Sequence, residues 1–595
     1  MATDTGESRD HEDSKRAMSG RSLSRRDFLR LGAALGAAGS LGSLLVGCAS
    51  VQDDKSAGKA TEKAAGQPPA VKKDLPEERK VRELELFITT ADYDPIRYEF
   101  GLMAADNWRK LGFAVKTTPL EWSRLSQVAN VEHEFDFYTL NWAGRSERID
   151  PDFFTYMVLH SSQVGKGQQN HNGYQSAEFD KYAELQRVTM DQEKRREVVW
   201  KAQEIFAKDQ PHTPIVTRNQ LMPYNARDWD NVTPVLGEGL NDVYNFRDIK
   251  PKTDRKILRW GYPSDVTVMN PLATVNTHDF QTLRLIYDRL MQVNPKGVPE
   301  KWAAEEVKTV NDTTVEVTIR PNMKFHDGKP VTAEDVKFSF EYPARTKSGY
   351  FMGLLEPIKE VTVIGERSVR FVLKNPLAPF FANVLGQVFI IPKHVWQDIP
   401  EKMGLSKMQD FPNTEPVGSG MFKLEYWRRN EEMKLVRNDD HYFKPAIEGI
   451  LKIPYANVQG MVAGVEKGEA DFGGCWIEPL QMRQLEQTAP HIKVANVRSH
   501  GYYHINYNMR RKPYDDPAVR MALAHAIPKQ LILDRLLEGY GEITHSYIAP
   551  ANEYWHNPNV QKVEFSLEKA RQILQEAGYE WGADGRIYYP PGKTN

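Results

Sequence analysis

Trp142, Arg145, Arg148, Glu147, Asp150 and Asp152 fall within one short run of LNWAGRSERIDPDFFTYMVLHSS, residues 140–162. These residue types suit the grip of a polar solute. Trp142 offers a flat apolar wall, and Gly144 lets a backbone come close. The Arg145 guanidinium is a fork of donors matched to a carboxylate or phosphate, and Asp150 or Asp152 can meet an amine. Each has a plainer use: Trp142 can close a core, and Arg145 can pair internally with Asp150 or Glu147. Residue type leaves both readings open.

Bond-making chemistry has less support. The chain carries no GxSxG, HExxH, CxxC or phosphate-cradling loop, and GSGMF at 418–422 lacks the lysine and spacing. His160 and His171 stand eleven apart on a loop-rich stretch, a weak spacing for a metal. FHDG, with His326 and Asp327, reads as turn and packing chemistry, and Cys475 as an inert buried thiol. We expect no enzyme, no cofactor and no metal.

With 595 residues and 40% hydrophobic content, the chain exceeds the size of one core, so two or three lobes are expected. Its 78 basic and 80 acidic residues leave a formal charge of -2 and no basic field for nucleic acid. No apolar run of spanning length occurs beyond the N-terminus, which argues against a chain that crosses a membrane. From Val81, LELFI alternates as a half-buried strand, RYEFGLMAADNWRKLG has helical spacing, FAVKTT is a strand, SRLSQVANV a helix and FDFYTLNW a strand. This β-α-β-α-β order predicts a mostly parallel sheet with a ligand crevice at its carboxyl ends, where the 140–162 run begins. Two helices follow, over 176–188 and 191–208, and then HTPIVTRNQLMPYNARDW as one strand with a turn. In TAEDVKFSF, Thr332 caps a helix with Asp335.

At the N-terminus, SRRDFLR with Arg25 and Arg26 resembles a twin-arginine export signal. LVGC, ending at Cys48, resembles a lipobox, in which that cysteine is lipidated. The plainer alternative is a short membrane anchor. Residues 49–80 lack large apolar groups and read as a flexible tether.

MKFHDGKPVTAEDVKFSF, NPLAPFF, TEPVGSGMFKLEYW, VRNDDHYF, GVEKGEADF and INYNMRRKPYDDPAVRMALAHAI occur in this order. They resemble the landmarks of the family 5 solute-binding proteins of ABC importers, the dipeptide- and oligopeptide-binding class. The resemblance covers nearly everything from Lys256 onward. It implies an α/β, two-lobed periplasmic-binding-protein fold of the large type II-like class, with mixed sheets and flanking helices. It also implies a peptide or other small-molecule ligand, ABC permease partners, a membrane tether through lipid, no nucleic acid and a monomer.

The family's order is broken. Its C-terminal quarter resembles residues 81–250 and here comes first, so the chain resembles a circular permutant; a truncated tandem duplication is the alternative. The implied organisation is a signal at 1–48, a tether at 49–80 and the first part of lobe II at 81–225. A return with joined termini follows at 226–255, then lobe I with its extra subdomain at 256–505 and the rest of lobe II at 506–595. Hinge crossings are expected near 225–255 and 500–508.

Many peptide binders of the family carry an aspartate three residues after the tryptophan of this loop, to hold the peptide ammonium; here Arg145 stands there. Asn276 and Thr277 match a position that presents small polar groups to the ligand, although Thr277 also suits a helix N-cap. Tyr503 and Trp476 are further candidates for the cleft. Besides importer-linked peptide binding, a non-transport sensor or a binder of a metal complex, an oligosaccharide or an opine-like anion fits the same residues.

Overall fold

Period-two burial builds the first sheet. The computed structural model describes residues 75–594 except 275, 347, 348 and 406, so Arg25, Arg26, Cys48 and the tether up to residue 74 lie outside the described residues. In β1 (Leu84–Thr89), Leu84, Leu86 and Ile88 are fully buried. The helix Pro95–Lys110 follows, its first turn closed by the Asp94 side chain, which accepts from the Arg97 amide. Gly112, at φ +96, ends that turn of chain. β2 (Val115–Leu120) and β3 (Phe137–Trp142) both pair with β1 in parallel, as helical crossovers require. β4 (His212–Arg218) and the strand Tyr502–Tyr507 complete the sheet antiparallel, with Gly541–Ile543 at the edge.

Segments far apart in sequence therefore share one sheet, in the order β2, β1, β3, Tyr502–Tyr507, β4, Gly541–Ile543. The Val81 amide donates to the Ile587 carbonyl at 3.0 Å, and the Tyr589 amide donates to the Arg79 carbonyl at 2.8 Å. Arg79 also donates to the Glu580 carboxylate at 2.6 Å. The tether expected to run to residue 80 thus ends earlier: Glu77–Arg79 form a turn anchored to 580–589.

The second lobe carries a seven-stranded sheet. Its order is Phe422–Arg428, Glu432–Arg437, Gly449–Pro454, Ile257–Tyr262, Phe472–Gly473, β5 (Gln220–Asn225) and Ile492–Val497. A four-stranded sheet over residues 304–373 forms its extra subdomain. There the helix Ala333–Arg345 opens on the expected capping box of Thr332 and Asp335. His326 ties its turn to the strand entry at 418–420: Nε2 lies 3.1 Å from the Gly420 carbonyl, and Nδ1 accepts from the Gly418 amide.

One expectation changes here. HTPIVTRNQLMPYN is two strands, β4 and β5, which belong to different sheets and are separated by Asn219 alone. The lobe boundary falls at Asn219 rather than 225. The return crossing lies at Arg498–Gly501, so Tyr502–Tyr507 belongs with the first lobe and not with 256–505. Both strands are apolar and regular, so their spacing could not reveal a change of partner between them. The Asn219 amide donates to the Tyr540 carbonyl in the first lobe, and its side chain donates to Asn496 at 2.8 Å in the second. Among the described residues, no helix is long and apolar enough to cross a membrane.

Candidate functional site

β3 ends on Trp142, and the next three residues run extended past the Arg498–Gly501 crossing. A Cβ on Gly501 would sit 2.2 Å from both the Gly144 amide and the Trp142 carbonyl, and one on Gly144 would sit 2.4 Å from Ser499 Oγ. Two backbones pass closely at the hinge, which is the need that Gly144 and Gly501 meet. His500 holds the loop from the other side, with Nε2 lying 2.8 Å from the Arg145 carbonyl and 3.2 Å from its amide.

Facing this loop are three pieces of the second lobe: the Gly237–Glu238 turn, the helix Thr277–Ile286 and the Gly474–Trp476 segment. Between the lobes lies a cavity of about 200 Å³, which continues on the β1–β3 side into a chamber of about 630 Å³. Together they fall in the range of small-ligand sites.

Six of the eight residues expected at a ligand site meet here: Trp142, Gly144, Arg145, Thr277, Trp476 and Tyr503 all line the cavity. Trp142 serves both of its readings. It is only 8% exposed, stacks on His504 at 6.3 Å and carries the Arg148 guanidinium 5.0 Å over its ring, yet it reaches the cavity wall. Tyr503 is buried, and that burial pushes its hydroxyl up to about 12, so it stays a neutral hydrogen-bonding group. Trp476 is 43% exposed at the mouth.

Asp150 and Asn276 do not line these cavities. Asp150 is buried, takes two parallel hydrogen bonds from Arg195 at 2.6 and 2.8 Å and a third from the Asp152 amide, and lies outside the cavity lining. Asn276, rather than Thr277, occupies the N-cap position. Its amide turns back to Thr267 at 3.0 Å, which frees Thr277 to face the cavity. Arg145 does not pair with Asp150 or Glu147. Glu147 instead meets Arg284, and Asp152 accepts from Gln186 at 2.6 Å and lies 3.1 Å from Arg187. His160 and His171 are used apart: Nε2 of His160 is 3.3 Å from Glu184, and His171 Nδ1 is 2.7 Å from the Tyr138 hydroxyl. Burial pushes the Cys475 thiol up to about 11, which keeps it protonated.

The centre that residue types did not reveal is Glu238. Buried between two left-handed glycines, Gly237 and Gly239, its carboxylate accepts from Arg284 at 2.9 Å, Gln281 at 3.1 Å, and the Ser146 hydroxyl and amide at 2.8 and 3.1 Å. Burial opposes its ionisation, and the Arg284 charge with the Ser146 donors outweighs that, so the carboxyl sits well below its ordinary range. The sequence signal was the acid inside GEG. Ser146 and Glu147 come from the first lobe and Glu238 and Arg284 from the second, so this network joins the lobes. Arg218 at the end of β4 adds a second link, to Glu478 at 2.7 Å.

A two-lobed α/β fold with mixed sheets, two crossings and a cleft between lobes defines the class. The chain belongs to the bacterial extracellular solute-binding proteins, family 5, whose middle region matches residues 298–595. It is 27% identical over 326 residues to the oligopeptide-binding protein AppA of Bacillus subtilis, a match covering 54% of this chain and 59% of that one. It is also 27% identical over 332 residues to the dipeptide-binding protein of Escherichia coli, covering 51% and 60%. The chain thus spans about three-fifths of the length of these relatives. Among solved structures, AppA of Bacillus subtilis in complex with a nonapeptide aligns at 24% identity over 57% of this chain and 67% of that one, with a TM-score of 0.42. DppA of Helicobacter pylori in complex with the peptide STSA aligns at 24% identity over 54% and 66%, with a TM-score of 0.45.

Proposed function

We propose that this protein is an extracytoplasmic solute receptor of an ABC importer, which encloses a peptide or peptide-like solute between its lobes and delivers it to permease subunits. The observation that carries the reading is the cavity itself. It sits at the two chain crossings and takes walls from both lobes, so a bound solute stabilises the closed form through contacts that the open form lacks. Micromolar affinity needs only about -8 kcal/mol, within reach of the Trp142, Tyr503 and Trp476 walls and a few desolvated polar contacts. The peptide class is supported by the relatives' names, oligopeptide-binding and dipeptide-binding. Export through Arg25–Arg26 and a lipid on Cys48 complete the proposal.

Native mass spectrometry of the protein taken from its own membrane tests these points together. The expected spectrum shows a mature chain beginning at a lipidated Cys48 with an amide-containing compound bound. An unlipidated chain would remove the anchor, and a bound oligosaccharide or metal complex would remove the peptide class.

The circular permutation is part of the same proposal. It is supported by the sheet shared between residues 84–142 and 502–543 and by the contact of Arg79 with Tyr589. A chain reopened between Pro251 and Lys256, with the segment just before Arg79 joined by a short linker to the segment just after Tyr589, is expected to keep its circular dichroism and its melting temperature. A re-cut chain that does not fold would count against it.

A further inference from the structure

Five arginines, Arg97, Arg145, Arg148, Arg218 and Arg284, line the cleft's cavities against four carboxylates, so the charges do not cancel. Four carboxylates line its cavities, Asp94, Glu147, Glu238 and Glu478, and each is held by an arginine of the protein. Asp94 pairs with Arg97 at 2.8 Å, Glu478 with Arg218 at 2.7 Å, and Glu147 and Glu238 share Arg284. Arg148 is occupied, donating to the Ala143 carbonyl at 3.0 Å and lying over the Trp142 ring, and Arg145 is left over. It borders all three adjoining hollows, its main chain is fixed by His500, and among the described residues its guanidinium makes no hydrogen bond and no ion pair. Among the described residues, the unpaired buried atoms of the lining side chains include the donors Trp142 Nε1 and Arg97 Nη1 in the larger chamber, and the acceptors Asn219 Oδ1, Asn241 Oδ1 and Gln281 Oε1 in the smaller cavity. A buried N–H that has lost water and gained no acceptor is costly, so the two donors of the larger chamber, next to Arg145, favour a ligand that brings acceptors to that side.

We infer that the cleft selects a solute that presents a carboxylate to Arg145 and carries no free ammonium into the cleft, as an N-acylated peptide does. The inference rests on the peptide-like reading of the cleft and narrows it. A carboxylate can meet the guanidinium fork through two parallel hydrogen bonds. An ammonium there would face an uncompensated like charge and find no carboxylate still open to it.

The test uses ligand-stripped protein and calorimetric titration with three probes: the dipeptide Ala-Phe, N-acetyl-Ala-Phe and the amide of N-acetyl-Ala-Phe. N-acetyl-Ala-Phe is expected to bind about tenfold tighter than either of the others, and Arg145→Gln is expected to erase that preference. The ligand-free Arg145→Gln protein should melt no lower than the parent, because the guanidinium it replaces has no hydrogen-bond or ion-pair partner among the described residues. Equal or tighter binding of Ala-Phe, or a preference that survives Arg145→Gln, overturns the inference. If none of the three probes binds, the peptide reading fails by itself. The charge inference is then decided on the co-purified compound: its loss from Arg145→Gln supports the inference, and its retention overturns it.

Discussion

Replacing Arg195 with methionine is expected to lower the unfolding free energy by about 3–5 kcal/mol at pH 7, the largest single-residue effect we predict. Arg195 is 1% exposed and Asp150 is 5% exposed. The guanidinium gives both of its terminal nitrogens to Asp150, shares Gln186 Oε1 at 2.8 Å, and lies 4.9 Å over the Trp555 ring. Methionine fills much of the volume, so the loss comes chiefly from stranding a buried carboxylate. The double variant Asp150→Asn/Arg195→Met removes that charge while keeping an oxygen for the Asp152 amide, which donates to Asp150 at 2.9 Å. It is therefore expected to recover at least half of the deficit. Denaturant titration of the two variants measures the coupling. A single-variant cost below about 1 kcal/mol would show that the pair does not hold the loop. This pair pins residues 150–152 to the helix Gln192–Asp209 and so anchors the segment that carries Arg145 into the cleft.

Stability is expected to fall steeply as the pH drops from 6.5 towards 4. Burial holds His171 and His212 down to about 3 and His326 and His500 down to about 4. An unfolded histidine takes its proton near pH 6.5, so between 6.5 and 4 the unfolded chain binds protons that the folded chain refuses, and acidification favours unfolding. Asp242 works the other way. Burial and the neighbouring Glu238 charge raise its carboxyl to about 6, so between about 4 and 6 the folded chain keeps a proton that the unfolded chain releases. These four histidines against Asp242 leave a net of about three protons near pH 5, or roughly 4 kcal/mol per pH unit, and His278, His504 and His545, lowered by burial in the same way, steepen the slope further. Denaturant midpoints at pH 7, 6 and 5 check this. A flat or rising series would mean that these imidazoles titrate normally in the folded protein.

The local elements could be read from the chain alone, because each has a local cause. Leu84, Leu86 and Ile88 alternate, Asp94 and Pro95 start a helix, and Thr332 and Asp335 close a capping box. The loop from Trp142 to Arg145 could be found for the same reason, since its wall, its close-approach glycine and its charge are consecutive residues at the end of one strand. The ordered motifs from Met323 to Ile527 carried the family as well.

Tertiary structure alone decided which charges would be taken. Asp150 and Arg145 look equally available in sequence, but Asp150 meets a partner 45 residues away and, among the described residues, the Arg145 guanidinium meets none. The loop of Arg145 is held by His500, 355 residues away, and Glu238 is gripped from both lobes. The step from one sheet to the other at Asn219 was hidden likewise, because β4 and β5 are both regular strands and only their hydrogen-bond partners distinguish them. Periodicity and capping act within a few residues and leave their pattern in the chain. Ion pairing and sheet partnership act through space, and residue order does not record them.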